Sequence, residues 1–380
     1  MNHKSKLPNL ETTIFTTMGN LAKKHNAINL SQGFPNFKSD QKLIDLVAKA
    51  MNSNYNQYAP MLGVLELRET IAKKFDDLYA STYNPENEIV ITAGATQAIF
   101  TTIAAFIKAN DEVILFKPAY DCYQPAIELN GGKVISMQLY YPDYKVDWIA
   151  VENSISAKTK MIVINTPQNP SGTVFSKEDM LALERITNNT NIIVLSDEVY
   201  EHMVFDGLQH QSACLFPQLK KRTFITASFG KTFHNTGWKM GYCCGPKELM
   251  KEFVKVHQFN VFCVNHPVQI ALATYINDAN NYKELNSFYE QKRDVFLNAI
   301  QDSRFSFTTS KATYFQVLNY AAISEEYDVD FAKRLTIEFG IASIPLSVFN
   351  SNNLDEKVLR FCFAKKESTL LKAAEILNSI

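Results

Sequence analysis

The chain has no cysteine framework: its six cysteines, Cys122, Cys214, Cys243, Cys244, Cys263 and Cys362, are scattered through 380 residues, with no C-x-x-C pair. That sparseness excludes a disulfide scaffold and fits reduced thiols. The seven histidines do not recur at metal-ligand spacing with these cysteines or with carboxylates, so no metal is expected. An excess of either charge is also missing. The 38 basic residues nearly balance the 39 acidic ones, for a net charge of -1, which leaves no field directed at nucleic acid or an anionic membrane. No apolar run approaches the length of a membrane span. The opening stretch, MNHKSKLPNLETTIF, lacks the apolar core of a signal peptide and carries Pro8. The expected location is the cytoplasm, with neither nucleic acid nor membrane as a partner.

What is present is an ordinary globular composition, 46% hydrophobic and 20% charged, in a chain long enough for two domains. Short β-rich runs alternate with helical patterns. Strands are expected at Glu88–Ala93, Glu112–Phe116, Lys133–Gln138, Met161–Asn165, Asn191–Ser196 and Arg222–Ala227. Helices are expected from Thr96 to about Lys108 and from Lys177 to about Asn188, the second capped by Ser176. The strands are continuously apolar rather than alternating, which predicts a mostly parallel α/β sheet covered on both faces. After Asn277 the pattern changes: polar helical sequence at Asn281–Asn298, strands at Tyr314–Asn319 and Val358–Phe363, and a closing helix. This predicts a large domain over residues 31–277 and a smaller α+β domain built from 1–30 and 278–380.

Conspicuous polar residues follow the ends of the expected strands, where ligands bind in open α/β sheets. Gly94-Ala95-Thr96-Gln97 opens a helix whose free N–H groups suit a phosphate, although such a turn also serves as a plain cap. Ser228-Phe229-Gly230-Lys231-Thr232 is not a nucleotide P-loop, because Ile225 stands where that motif needs glycine. Read as S-x-x-K, it offers a serine for a phosphate and a lysine for a carbonyl carbon. Such a lysine must be neutral to form an imine, and Lys239 is a nearby cation that could help; the bland alternative for either lysine is solvated surface. Asp197 ends an apolar strand and needs a partner if buried, either a structural cation or a protonated pyridine nitrogen. Tyr200 and Asn169 could donate to an oxygen on such a ring, and Tyr120 follows a neighbouring strand.

Seven segments in order carry a resemblance along essentially the whole chain. They are LSQGFPNF (Leu30–Phe37), QYAPMLGVLELRE (Gln57–Glu69), TAGATQA (Thr92–Ala98), NTPQNPSG (Asn165–Gly172), SDEVYEH (Ser196–His202), SFGKTFHNTGWKMGY (Ser228–Tyr242) and VLRFCFAKK (Val358–Lys366). With these the chain resembles the class I, fold type I, pyridoxal-phosphate-dependent aminotransferases. Within them it is most similar to the bacterial methionine aminotransferases and the kynurenine aminotransferase/cysteine-conjugate β-lyase group. The resemblance implies pyridoxal 5'-phosphate held as a Schiff base on Lys231, which would shuttle the substrate proton. It implies Asp197 on the pyridine nitrogen, Asn169 and Tyr200 on the phenolic oxygen, and Tyr120 stacked on the ring. Ala95, Thr96, Ser228 and Lys239 should hold the phosphate, with Tyr58 reaching the phosphate of a neighbouring subunit in a homodimer with shared sites. Arg360 should bind the substrate carboxylate, helped by Gly33 and Asn169. Lys239 departs from the arginine of many members and makes that contact a point charge.

The implied reaction moves an amino group from an α-amino acid to a 2-oxo acid by a ping-pong mechanism. Phe15, Tyr55 and Tyr123 are expected near the pocket edge, where they would favour methionine or aromatic donors; they could equally be core or subunit interface. No second arginine can be assigned to a side-chain carboxylate, so aspartate is not the expected donor. The alternatives are kynurenine aminotransferase or cysteine-conjugate β-lyase activity, and a non-catalytic cofactor-binding regulator, against which Lys231, Asp197 and Arg360 argue. A nicotinamide dehydrogenase is disfavoured, because no G-x-G-x-x-G follows the first strand.

Overall fold

A two-residue strand, β1 (Ile28–Asn29), precedes the seven strands of the main sheet. These are β2 (Ile89–Thr92), β3 (Glu112–Lys117), β4 (Lys133–Gln138), β5 (Thr159–Asn165), β6 (Ile193–Asp197), β7 (Thr223–Ser228) and β8 (Gly241–Cys244). In this computed structural model, which describes residues 4–8 and 10–380, they lie in the order β2-β8-β7-β6-β5-β3-β4. All run in one direction except β8, which is antiparallel to both its neighbours. The expected parallel α/β sheet is therefore present, with one reversed strand that the sequence reading lacks. Only four residues long, Gly241-Tyr242-Cys243-Cys244 opens on glycine and carries no β-branched side chain, so its strand signal is weak.

The continuous apolar runs divide between two cores by the two-residue period of a strand. Met161 and Val163 join one buried cluster, with Val113, Leu115 and Phe224, while Ile162 and Ile164 join the other, with Ile114, Phe116 and Ile225. Both faces are thus covered. Within this sheet only β4, at its edge, has no buried residue. The helix at Lys177–Thr187 begins as expected: Ser176 Oγ accepts from Asp179 N–H at 3.1 Å, and the Asp179 carboxylate accepts from Ser176 N–H at 2.8 Å. The expected helix Asn281–Asn298 is instead broken at Glu284, into Asn280–Lys283 and Leu285–Ala299.

The C-terminal part forms β9 (Phe315–Asn319), β10 (Ile341–Ala342), β11 (Ile344–Pro345) and β12 (Val358–Cys362). β12 lies between β11 and β9, antiparallel to each. β1 pairs in parallel with β10, and Cys362 N–H donates to Leu30 O at 2.8 Å. These bonds lay residues 30–33 beside β12 and so bring Gly33 close to Arg360. Among the described residues, no helix is long and apolar enough to cross a membrane, and no His, Cys, Asp or Glu cluster could hold a metal.

Candidate active site

The carboxyl ends of the parallel strands share one edge of the sheet. Because β8 runs backwards, the residues just before it, Lys239 included, reach the same edge. A cavity there is lined by Ala95, Thr96, Tyr120, Asn165, Asn169, Asp197, Tyr200, Ser228, Lys231, Thr236 and Lys239. A second hollow adjoins it, lined by Phe15, Gln32, Gly33, Phe34, Asp121, Phe315 and Arg360. Tyr120, Asn169, Tyr200 and Lys231 line both. Lys231 stands at the junction.

One end of the cavity is built for an anion. Gly94, at φ +76°, turns the chain from β2 into the helix Gly94–Phe106, so Ala95 and Thr96 sit in its first turn, where N–H groups lack helical acceptors. A Cβ placed on Gly94 would lie 3.5 Å from Lys239 Nζ, so that ammonium hangs over the turn. Gly241 permits the close fit: a Cβ there would come within 2.5 Å of Ala227 O and 3.0 Å of Ala95 N. Gln97 faces away. Its Oε1 accepts from Ala93 N–H at 3.0 Å and its amide donates to Thr101 Oγ1 at 2.6 Å, which makes it part of the frame.

The other end holds a buried acid. Asp197, 3% exposed, accepts from Tyr123 O–H at 2.6 Å and from Val199 N–H at 3.2 Å. Burial pushes its carboxyl up to about 6, against the pull of these hydrogen bonds and of Lys231. Of the two readings open for Tyr123, pocket edge or core, the structure shows the second: it lies buried beneath the site as the partner of Asp197. Tyr55 lies outside both hollows, its ring half-exposed against that of His266 at 5.3 Å. Phe15 does line the second hollow. Asn165, missed in the sequence reading, ties two strand ends together: its amide donates to Asp197 O at 2.9 Å, and its Oδ1 accepts from Asn169 N–H at 2.9 Å.

Between the two ends, Lys231 Nζ donates to Gly33 O at 3.1 Å and to Tyr314 Oη at 3.0 Å. Burial lowers its amine to about 8, and positive Arg360 and Lys239 push the same way, against Cys362 and Asp197. Tyr200 is buried with its ring centroid 5.2 Å from that of Tyr314. Arg360, 1% exposed, donates to Asn169 Oδ1 at 2.6 Å and Ser31 O at 2.8 Å, under the ring of Phe315 at 3.9 Å. Its Nε has no partner among the described residues. Tyr58 stands apart from this constellation, 83% exposed and edge-on to Phe262 at 5.5 Å.

The arrangement suits a ligand with an anionic group at one end, a carbonyl within reach of Lys231, and a cationic ring nitrogen at Asp197. Such a nitrogen would supply the charge that the buried carboxylate lacks nearby. The second hollow suits a carboxylate on Arg360, flanked by apolar rings. Comparison with known proteins agrees with this chemistry. Residues 25–377 match the family of class I and II aminotransferases. The methionine aminotransferase of Escherichia coli K12 is 47% identical over 378 residues, covering 99% of this chain and 98% of that protein. The kynurenine–oxoglutarate transaminase of Dictyostelium discoideum is 32% identical, covering 94% and 91% of the two chains. The crystal structure of YbdL from Escherichia coli, reported with a methionine aminotransferase function, superposes with a TM-score of 0.97 at 46% identity and full coverage of both chains. The chain belongs to the class I and II aminotransferases, and it is a transaminase of fold type I.

Proposed function

We propose that this transaminase carries pyridoxal 5'-phosphate on Lys231 and takes its amino group from methionine or an aromatic amino acid, passing it to a 2-oxo acid. The observation that carries this reading is the buried, easily neutralised amine of Lys231 in one cavity with buried Asp197 and an open helix N-terminus. When bound, the cofactor supplies a carbonyl that exchanges one amine for another and a cationic ring that draws electrons from the adjoining carbon.

The protein's own groups do the rest. Ala95 and Thr96 N–H groups, Ser228 and Lys239 hold the phosphate. Asp197 would accept from the ring nitrogen, with Tyr123 fixing its orientation, and that cationic partner would hold ionised an acid whose pKa burial raises. Asn169 and Tyr200 would bind the phenolic oxygen, and Tyr120 would lie against the ring. Arg360 grips the substrate carboxylate with its planar fork, with Gly33 and Asn169 beside it. Lys231 Nζ would take the proton from the substrate Cα and deliver it to the carbonyl-derived carbon of the cofactor, two atoms further along across the nitrogen, general acid–base help worth roughly a hundred- to ten-thousandfold.

The donor preference rests on the second hollow. Phe15, Phe34 and Phe315 line it, and among the described lining residues Asp121 is the one acid and Arg360 the one cation besides Lys231, whose amine the cofactor would take up. A thioether or an aromatic ring packs favourably there, while a second carboxylate would meet Asp121. The names of the two relatives above point the same way. The reading also includes a cytoplasmic homodimer in which Tyr58 reaches the neighbouring phosphate, and a division into residues 31–277 and a part formed by 1–30 with 278–380. The β1–β10 pairing supports that division.

A panel of amino donors against several 2-oxo acids tests the preference, and pyruvate release from a cysteine conjugate would identify β-elimination instead. Borohydride should abolish the yellow colour by fixing the cofactor to Lys231. Lys231→Ala should abolish transamination; retained turnover overturns the assignment.

A further inference from the structure

The contacts of Lys231 carry an inference beyond the roles above. Tyr314 is fully buried, and its O–H donates to Gly33 O at 2.6 Å. With its proton committed there, Tyr314 Oη can only accept from Lys231 Nζ, which lies 3.0 Å away, while Gly33 O also accepts from Nζ at 3.1 Å. Three polar atoms therefore close a small ring. A neutral amine has two N–H bonds and one lone pair, and this ring uses both N–H bonds.

We propose that Tyr314 and the Gly33 carbonyl form a berth for the Lys231 amine whenever it is released from the cofactor, holding its two N–H bonds so that its lone pair faces the substrate. Tyr314 is then a positioning residue acting through Lys231. The inference rests on the reading that Lys231 is the base. Once Nζ has taken the Cα proton it carries three N–H bonds: the berth keeps two, and the third points into the cavity, from which the proton is handed back. An unheld lysine would spend most of its time in other rotamers, with its lone pair turned elsewhere. The aromatic packing of Tyr314 against Tyr200, Phe315 and Tyr289, at 5.2, 4.8 and 5.6 Å between centroids, fixes the hydroxyl's place.

The test uses the holoenzyme and its Tyr314→Phe variant, with Tyr289→Phe as the control. Tyr289 packs on Tyr314, but its hydroxyl lies 3.3 Å from His234 Nδ1 rather than near Lys231. In a single half-reaction, Y314F should slow amino transfer about ten- to a hundredfold with little change in KM, and should raise the isotope effect of α-deuterated donor. Y289F should leave both unchanged. A crystal structure of the amine-loaded wild-type enzyme should show Nζ within hydrogen-bond reach of Tyr314 Oη and Gly33 O. An unaltered isotope effect in folded Y314F, an equal effect of Y289F, or Nζ found away from both oxygens overturns the berth. If instead wild-type protein gives no borohydride-fixed cofactor on Lys231, it is the functional reading itself that fails.

Discussion

Lys231 and Asp197 are moved from their ordinary titration by the same cause with opposite sign, because burial disfavours whichever form is charged. For Asp197 the folded value of about 6 lies above the ordinary 3.8, so between these values the folded protein binds the proton more tightly than the unfolded chain. Its contribution is fully present below the lower value and is lost as pH rises through the upper one. Urea melts of cofactor-free protein should therefore show wild type losing stability relative to Asp197→Asn as pH climbs from 4 to beyond 6. Parallel pH curves for the two proteins would refute this. At Arg360, replacement by lysine keeps the charge but removes the fork. R360K should raise KM for the amino donor by roughly tenfold or more, a loss of about 1.4 kcal/mol or above, with cofactor affinity little changed. Equilibrium cofactor binding beside steady-state kinetics checks it. Most of these residues were legible in the sequence because each follows a strand end or sits in a local motif. Tyr314 was not: it meets Lys231 across 83 positions of chain, and no local pattern announces such a contact. For Tyr123 the choice between pocket edge and core stayed open, because an aromatic three residues beyond Tyr120 gives no sign of which way its helical turn faces.

At the scale of elements, the strands with continuous apolar runs were legible and β8 was not, yet β8 sets where the phosphate end lies. Gly241→Ala tests that dependence. The added methyl would press on Ala227 O and on the backbone of Gly94 and Ala95, and overpacking of this kind costs about 1–3 kcal/mol. The cofactor should bind more weakly in G241A, by fluorescence titration, than in an alanine variant of Gly237, whose Cβ would meet nothing within 4 Å. A second element-scale device lies behind the loop after β6. Lys74 Nζ sits 2.5 Å from Glu201 and 2.7 Å from Tyr242 Oη, all buried. Burial alone would push Glu201 up, but Lys74 and His202 outweigh it and hold the acid at about 2. Removing the lysine strands a buried charge, so Lys74→Met should lower unfolding free energy by roughly 3–5 kcal/mol in denaturant melts. This pair was invisible beforehand, because its members lie 127 positions apart.

For the whole molecule, the proposed dimer has a direct test. If Tyr58 serves the neighbouring subunit, then Tyr58→Ala and Lys231→Ala chains damage different halves of each site. Random exchange of the two puts half the dimers in mixed form, each with one intact site, so activity should recover to about a quarter of wild type. No recovery after verified subunit exchange would place Tyr58 outside the site. The change in pattern after Asn277 is legible in the sequence, whereas the two-residue strands β1, β10 and β11 are too short to leave any periodic trace.

Ser228 and Gly241 are cross-strand partners at the open end of β7 and β8, and the chain between them carries both Lys231 and Lys239. On the proposed reading, covalent tether and counter-charge would travel together on a single looped excursion, like the two prongs of a buckle. The arginine that would greet the substrate is planted on a different sheet altogether. Any hinge bending between those sheets would change how far an amino acid must reach, yet leave the cofactor's moorings undisturbed.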